Sequence, residues 1–360
     1  MKTPPARLDD SPIFLTPREI YDRLSRYVVG QQRAKRALAI AAYNHLKRTA
    51  LRRTRRGPAQ IRKSNVFFVG PTGCGKTHLA RTLAQVLDVP LHVADATELT
   101  EAGYYGKDVE VMIGELLQKA GHVVEAAQRG IVFIDEVDKI ARRSAGQRAG
   151  VAARDIGGEG VQQALLKLLE GREVLVPLSL GQHWQRQDAA AVDTTDILFI
   201  CAGTFTDLFA YSAEARALGF GALEARRASA RRIRQKDLLE YGMLAEFLGR
   251  LPIVVQLEEL TAEELFHVLT GPPDAVVREV KELLAADGVE LVFSEGALRE
   301  VVRYAIERGA GARGLRAIVE EVVADLLFEA PERSGTRASI DAGFVRRRVE
   351  RIDPAAIAEL

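Results

Sequence analysis

Cysteine is scarce: the 360 residues hold 2, Cys74 and Cys201, too few for a disulfide framework or a four-thiolate zinc site. A reducing compartment suits such a chain, and a cytoplasmic location is expected. The 6 histidines form no cluster at metal-ligand spacing, so no zinc centre is predicted. No apolar run approaches the length of a membrane span, and Met1-Lys2-Thr3-Pro4-Pro5 lacks the apolar core of a signal peptide. The expectation is a soluble protein with no membrane partner. An excess of one charge is also missing: 50 Lys and Arg against 49 Asp and Glu leave +1, which removes any global argument for binding nucleic acid.

What the chain does have is a placed run of glycines. Gly70-Pro71-Thr72-Gly73-Cys74-Gly75-Lys76-Thr77 is a complete G-x-x-x-x-G-K-T phosphate-binding loop. It follows the apolar run Val66-Phe67-Phe68-Val69 and precedes His78 to Leu87, where Leu79, Leu83, Val86 and Leu87 repeat at helical spacing. Strand, loop and helix therefore come in the order that phosphate binding needs. The glycines let successive backbone N–H groups turn inward around a phosphate, and the helix N-terminus adds its dipole. Lys76 reaches the β- and γ-phosphates as a point charge, and the Thr77 hydroxyl is placed to ligate Mg²⁺. With Pro71, Thr72, Gly73, Cys74 and Gly75 completing the cradle, the stretch predicts ATP and Mg²⁺ as its cofactors.

Gly130-Ile131-Val132-Phe133-Ile134-Asp135-Glu136 supplies the second half of such a site, a buried apolar strand ending in two acids. Asp135 faces the Mg²⁺ shell, and Glu136 stands where it can polarise a water for attack on the γ-phosphorus. An acidic pair after a strand is common by itself. Downstream of a full phosphate loop it predicts ATP hydrolysis rather than nucleotide binding alone.

In chain order, residues 1–15 are proline-rich and read as a flexible tail. Thr16-Pro17-Arg18-Glu19 opens a helix with a capping box, and a second helix is expected from about Gln31 to Lys47. Between them, Tyr27-Val28-Val29-Gly30 is an apolar turn that can wall an adenine pocket or simply pack in the core. Arg48 to Lys63 is dense in arginine without interleaved aromatics and reads as a solvated linker into the first strand. Gly103-Tyr104-Tyr105-Gly106 is either a turn with a tucked ring or an exposed, mobile aromatic loop. Ala141 to Gly160 and Gly181 to Thr195 are polar stretches, and Ile197 to Cys201 is a further buried strand. Leu218-Gly219-Phe220 is apolar in polar surroundings, a local anchor or a docking peptide. Arg250, just before a strand near Ile253 to Leu257, would be an ordinary surface arginine in most proteins. Strands alternating with helices predict an α/β fold, a parallel sheet flanked by helices, over 16–258. From Thr261, whose Thr-Ala-Glu-Glu is another capping box, helices with a short sheet predict a small α+β lid over 259–360.

Several long strings together carry a family resemblance. Gly70 to Thr77, Ala94-Asp95-Ala96-Thr97-Glu98-Leu99-Thr100-Glu101-Ala102-Gly103-Tyr104, Gly130 to Lys139, Gly158 to Leu166 and Gly311 to Arg316 occur in the order found in ClpX. From about Thr16 to Ile352 the chain resembles that family, AAA+ ATPases that unfold proteins and feed the ClpP peptidase. The resemblance implies a homohexamer acting on protein substrates, with Val28 and Val29 on the adenine side and Arg250 as an arginine finger acting on the neighbouring subunit. It implies that Arg313 senses nucleotide from the lid, that Tyr104 grips substrate in the central pore, and that Leu218-Gly219-Phe220 docks on ClpP.

The sequence also departs from the family. The N-terminal zinc module with its four cysteines has no counterpart here, and the Arg-Lys-His pore-entrance loop is reduced to the histidine of Gly181-Gln182-His183-Trp184-Gln185-Arg186. Lys107 replaces the acid after the pore motif, Tyr105 replaces an aliphatic residue, and leucine replaces isoleucine in the docking tripeptide. These changes predict altered substrate choice. Two other readings stand beside this one: an HslU-like protease ATPase, which shares the Gly-Tyr-x-Gly-Lys loop but has a long inserted helical domain, and a remodelling chaperone that works without a peptidase.

Overall fold

The computed structural model describes residues 15–53, 63–100, 107–142, 158–177, 189–206, 208 and 232–352. They fall into two compact units. One comprises the chain up to Arg23, Arg33–Val69 and Ala80–Gln256; the other comprises Leu24–Gln32, Gly70–Leu79 and the chain from Leu257 onward.

The first unit is built on a five-stranded sheet. Its strands are β1 (Val66–Val69), β2 (Leu91–Asp95), β3 (Ile131–Asp135), β4 (Leu198–Gly203) and β5 (Ile253–Gln256), in the order β2-β3-β4-β1-β5 with every pair parallel. The three inner strands are apolar along almost their whole length because both faces are covered, whereas the outer two are only partly buried, β2 with strict alternation. Phe67, Val132, Ile134 and Phe199 belong to one extended core with Leu116, Leu165 and Phe247, while Phe68 and Phe133 pack together on the other face, ring centroids 6.4 Å apart. Because all five strands run the same way, the ends of β1, β3 and β4 share one edge of the sheet. In α/β proteins that edge carries the chemistry.

Asn65, buried just before β1, cross-braces this unit. Its Nδ2 donates to the Arg250 carbonyl at 3.0 Å and to the Leu169 carbonyl at 3.4 Å, and its Oδ1 accepts from Phe199 N–H at 3.3 Å.

The basic stretch expected to be a linker is partly helix: Gln32–Arg53 is continuous, and Arg48 is buried. Arg48 donates to the Thr195 carbonyl at 2.9 Å and lies 3.3 Å from Asp196. Its partners are far away in the sequence, so local composition alone makes it look like a solvated charge. Beside it, burial pushes His45 down to about 3. Burial likewise lowers Lys63 to about 7, its Nζ lying 4.4 Å from the Phe199 ring centroid and donating to the Thr194 carbonyl at 2.9 Å. A second feature that composition did not show is an antiparallel hairpin pairing Glu173–Pro177 with Ala189–Asp193.

In the second unit, helices Ala262–Thr270, Val276–Ala286, Glu295–Glu307, Gly311–Glu329 and Ala342–Ile352 surround a parallel pair of strands, Glu290–Phe293 and Arg337–Ile340. Leu269, Val280, Leu284, Val301, Ile318 and Val323 form its core. The predicted cap at Thr261 is present, and a second helix is capped at Ser294. Thr261 and Glu264 form a reciprocal capping box, and Ser294 accepts from Ala297 N–H at 3.1 Å.

Candidate active site

The phosphate loop lies in the second unit. Gly73 has φ +76° and Gly75 φ +97°, the left-handed region where a β-carbon is strained. The two are held differently. Around Gly75 a β-carbon would find open space, but on Gly73 it would fall 2.7 Å from the Ala310 carbonyl oxygen. The Gly73 carbonyl in turn accepts from Ala312 N–H at 3.3 Å. Gly70 is glycine for room rather than torsion, since a β-carbon there would sit 2.9 Å from both Cβ and the carbonyl oxygen of Leu257. Helix Lys76–Leu87 begins at the lysine, with the Leu79 N–H donating to the Gly75 carbonyl at 2.9 Å. Lys76 is mostly buried, and its Nζ donates to the carbonyls of Gly70 at 2.7 Å and Pro71 at 3.0 Å. Those bonds use two of the ammonium's three donors and hold it inside the loop. Left-handed glycines, a helix start and a centred ammonium fit a polyphosphate.

Val28 is buried and Val29 half-buried in the turn that follows helix Pro17–Tyr27. Two consecutive left-handed residues, Gly30 at φ +64° and Gln31 at +52°, reverse the chain there. A β-carbon on Gly30 would collide with the Glu264 carboxylate. The turn is joined to the phosphate-loop segment where His78 Nε2 comes within 3.3 Å of the Tyr27 carbonyl, a contact in which the ring must donate because a carbonyl only accepts. Arg313 is exposed, one residue beyond Ala312, whose N–H is bound to Gly73.

The acids lie in the first unit. Asp135 ends β3 half-buried, its Oδ1 accepting from Glu136 N–H at 3.0 Å. Glu136 is exposed and left-handed, φ +58° and ψ +30°. For a residue with a β-carbon this conformation costs about 1–2 kcal/mol, and such strain gathers at functional positions. The turn after it is braced by Asp138, which is buried and accepts from Thr204 N–H at 3.1 Å and from the Thr204 hydroxyl at 3.0 Å. Thr204 directly follows β4, so the acid-bearing end of β3 is tied to its neighbour. Arg250 is exposed at the end of helix Ala245–Gly249, its Nε and NH2 donating to Glu170 Oε1 at 3.0 and 2.6 Å.

Tyr104, Tyr105, Leu218, Gly219, Phe220 and the stretch from Gly181 to Arg186 lie outside the described residues. Sequence reasoning missed Asp138, Thr204, Glu170 and Asn65. Only Asp138 sits in a recognisable string, and its partner lies 66 residues away.

A phosphate loop leaving β1, an acidic pair closing β3, the order β2-β3-β4-β1-β5 and a small helical unit after β5 define an AAA ATPase. Family models agree: the AAA domain (Cdc48 subfamily) matches residues 61–254, and the C-terminal, D2-small domain, of ClpB protein matches residues 260–339. The chain is 44% identical over 330 residues to ATP-dependent Clp protease ATP-binding subunit ClpX 2 of Wolinella succinogenes, covering 91% of this chain and 81% of that one. It is 43% identical over 344 residues to ATP-dependent Clp protease ATP-binding subunit ClpX of Treponema denticola, covering 92% and 81%. The chain belongs to the ClpX family of AAA ATPases.

Proposed function

We propose that this ATPase is a protein unfoldase and translocase, working in the cytoplasm as a homohexameric ring that threads proteins through its central pore into a ClpP peptidase. The observation that carries the reading is the grip on the phosphate loop, where Gly73 accepts from Ala312 N–H and has no room for a β-carbon against Ala310. A nucleotide that reshapes the loop bears directly on the helix start at Gly311. Conversion of hydrolysis into movement needs such a linkage. The names of the relatives, ATP-dependent Clp protease ATP-binding subunits, support the peptidase partnership.

In this reading Pro71 to Gly75 wrap the phosphates and Lys76 neutralises the β- and γ-oxygens. Thr77 and, through water, Asp135 would hold Mg²⁺, which supplies further neutralisation of phosphate charge. Glu136 takes the proton of the attacking water. Val28 and Val29 line the adenine, and Arg313 reads the nucleotide from the small domain, residues 259–360. Arg250 acts on the nucleotide of the neighbouring subunit, which requires a closed ring. Tyr104, with Tyr105 beside it, grips substrate, and Leu218-Gly219-Phe220 docks on the peptidase.

The test is ATP-dependent unfolding of a tagged fluorescent protein, with and without ClpP. Fluorescence should fall only with ATP, Tyr104→Ala should stop the fall, and peptides should appear only with ClpP. Phe220→Ala should abolish peptide release while leaving unfolding intact. ATP hydrolysis with no unfolding would overturn the reading.

A further inference from the structure

The turn at Gly30-Gln31 has a feature that nucleotide binding alone does not require. A side-chain amide offers one acceptor oxygen and two donor hydrogens. Gln31 uses both kinds of group on one residue, Oε1 accepting from Glu258 N–H at 3.1 Å and Nε2 donating to the Glu258 carbonyl at 2.6 Å. The pair closes on Glu258 as a neighbouring strand would. The same Nε2 also donates to the Cys74 carbonyl, inside the phosphate loop, at 3.3 Å. Gln31 thus joins the loop to the chain leaving β5, two segments far apart in sequence. Its backbone is left-handed at φ +52°, a conformation unfavourable for glutamine that survives where surroundings over-determine it. A second contact acts in parallel: Leu257, next to Glu258, approaches Gly70 closely enough to exclude a β-carbon.

We infer that Gln31 is a positioning residue that transmits the nucleotide state of the phosphate loop to the backbone at Glu258, where the chain enters the small domain. The inference rests on the nucleotide reading of that loop. A phosphate drawing the loop's N–H groups inward reorients the peptide units around Cys74. The shared amide then passes that reorientation to Glu258 as a tightened or loosened pair of hydrogen bonds. Serine or alanine at position 31 could make neither bond to Glu258, and asparagine, one methylene shorter, would not span both partners.

The experiment is hydrogen exchange on the full chain with Mg-ADP as probe, comparing wild type with Gln31→Gly and Gln31→Glu. Glycine relieves the left-handed backbone while deleting the amide. Glutamate keeps length and an acceptor for Glu258 N–H but loses both donors. In the wild type, Mg-ADP should slow exchange in the Gly70–Thr77 peptide and also at the Glu258 amide by about tenfold, the scale of one hydrogen bond. In both variants the loop should still be protected while the response at Glu258 shrinks below about twofold. Turnover of ATP, expressed per nucleotide-binding site counted by titration so that loss of folded protein is removed, should fall about tenfold with KM changed less than about threefold. A wild-type response at Glu258 in either variant overturns the coupling. Absence of loop protection in the wild type instead overturns the nucleotide reading, and the coupling falls with it.

Discussion

At the scale of single residues, the site divides into groups whose role is written in their neighbours along the chain and groups whose role is not. The roles proposed for Lys76, Thr77 and the Asp135-Glu136 pair come from the sequence, because phosphate binding and water activation would need such residues at fixed short spacing from a strand end. Replacing Glu136 with glutamine should lower ATP turnover by about 10²–10⁴-fold while nucleotide affinity measured by titration stays unchanged, the expected loss for a general base. Undiminished turnover would remove Glu136 from that role. Asp138 and Thr204 were not legible, since each looks ordinary until β3 and β4 bring them to hydrogen-bonding distance. Thr204→Val removes the hydroxyl donor and leaves a buried carboxylate oxygen short of a partner. It should destabilise the fold by about 1–3 kcal/mol in urea denaturation and lower turnover through the displaced β3 end. Stability and turnover both at wild-type values would show that the brace is idle.

At the scale of elements, what can be read in advance is whatever the backbone specifies locally. The capping boxes at Thr16 and Thr261 and the cap at Ser294 announce their helices, because a side chain three residues from its partner is enough to satisfy a bare N–H. Thr261→Ala should accordingly cost about 1 kcal/mol, seen as a lower denaturation midpoint with an unchanged slope. A different failure is expected at Gly73, where an alanine meets both an unfavourable φ and the Ala310 carbonyl. Gly73→Ala should abolish nucleotide binding in a fluorescence titration, whereas binding equal to wild type would mean that the loop moves aside at little cost. The helix running to Arg53 and the hairpin of Glu173–Pro177 escaped the sequence because their determinants are tertiary. Arg48 is helical and buried through Thr195 and Asp196, and the hairpin shows exposed Leu175 and Pro177 on one face.

At the scale of the whole molecule, stability should depend on pH through the buried basic cluster. His45, held near 3 instead of its ordinary 6.5 by burial and by the charges of Arg48 and Lys63, is neutral in the fold. As pH falls below 6.5 the unfolded chain takes up this proton first, so stability should drop progressively toward pH 3, by on the order of a few kcal/mol. Lys63 is displaced from 10.5 to about 7, so the unfolded chain holds the extra proton between those values and stability should rise with pH across that window. Urea midpoints followed across both windows check this: His45→Leu should flatten the acid limb and Lys63→Met the alkaline one. The proposed ring makes its own prediction. Lys76→Ala and Arg250→Ala subunits, each inactive alone, should recover up to about a quarter of wild-type ATPase activity when mixed equally, since an intact site then meets a neighbour's intact arginine in one contact of four. Mixtures that stay inactive would place Arg250 outside a trans-acting role.

The second compact unit draws on three separate stretches of chain, and that bears on how members of this family can be recombined. Gly73 meets Ala310, Gly30 meets Glu264 and Gln31 meets Glu258, each pair uniting an early segment with a late one. A chimera spliced after Gln256 would take the two sides of every such pair from different parents. A sound transplant of the C-terminal portion must therefore bring Leu24–Gln32 and Gly70–Leu79 from the same donor, although both are numbered with the other domain.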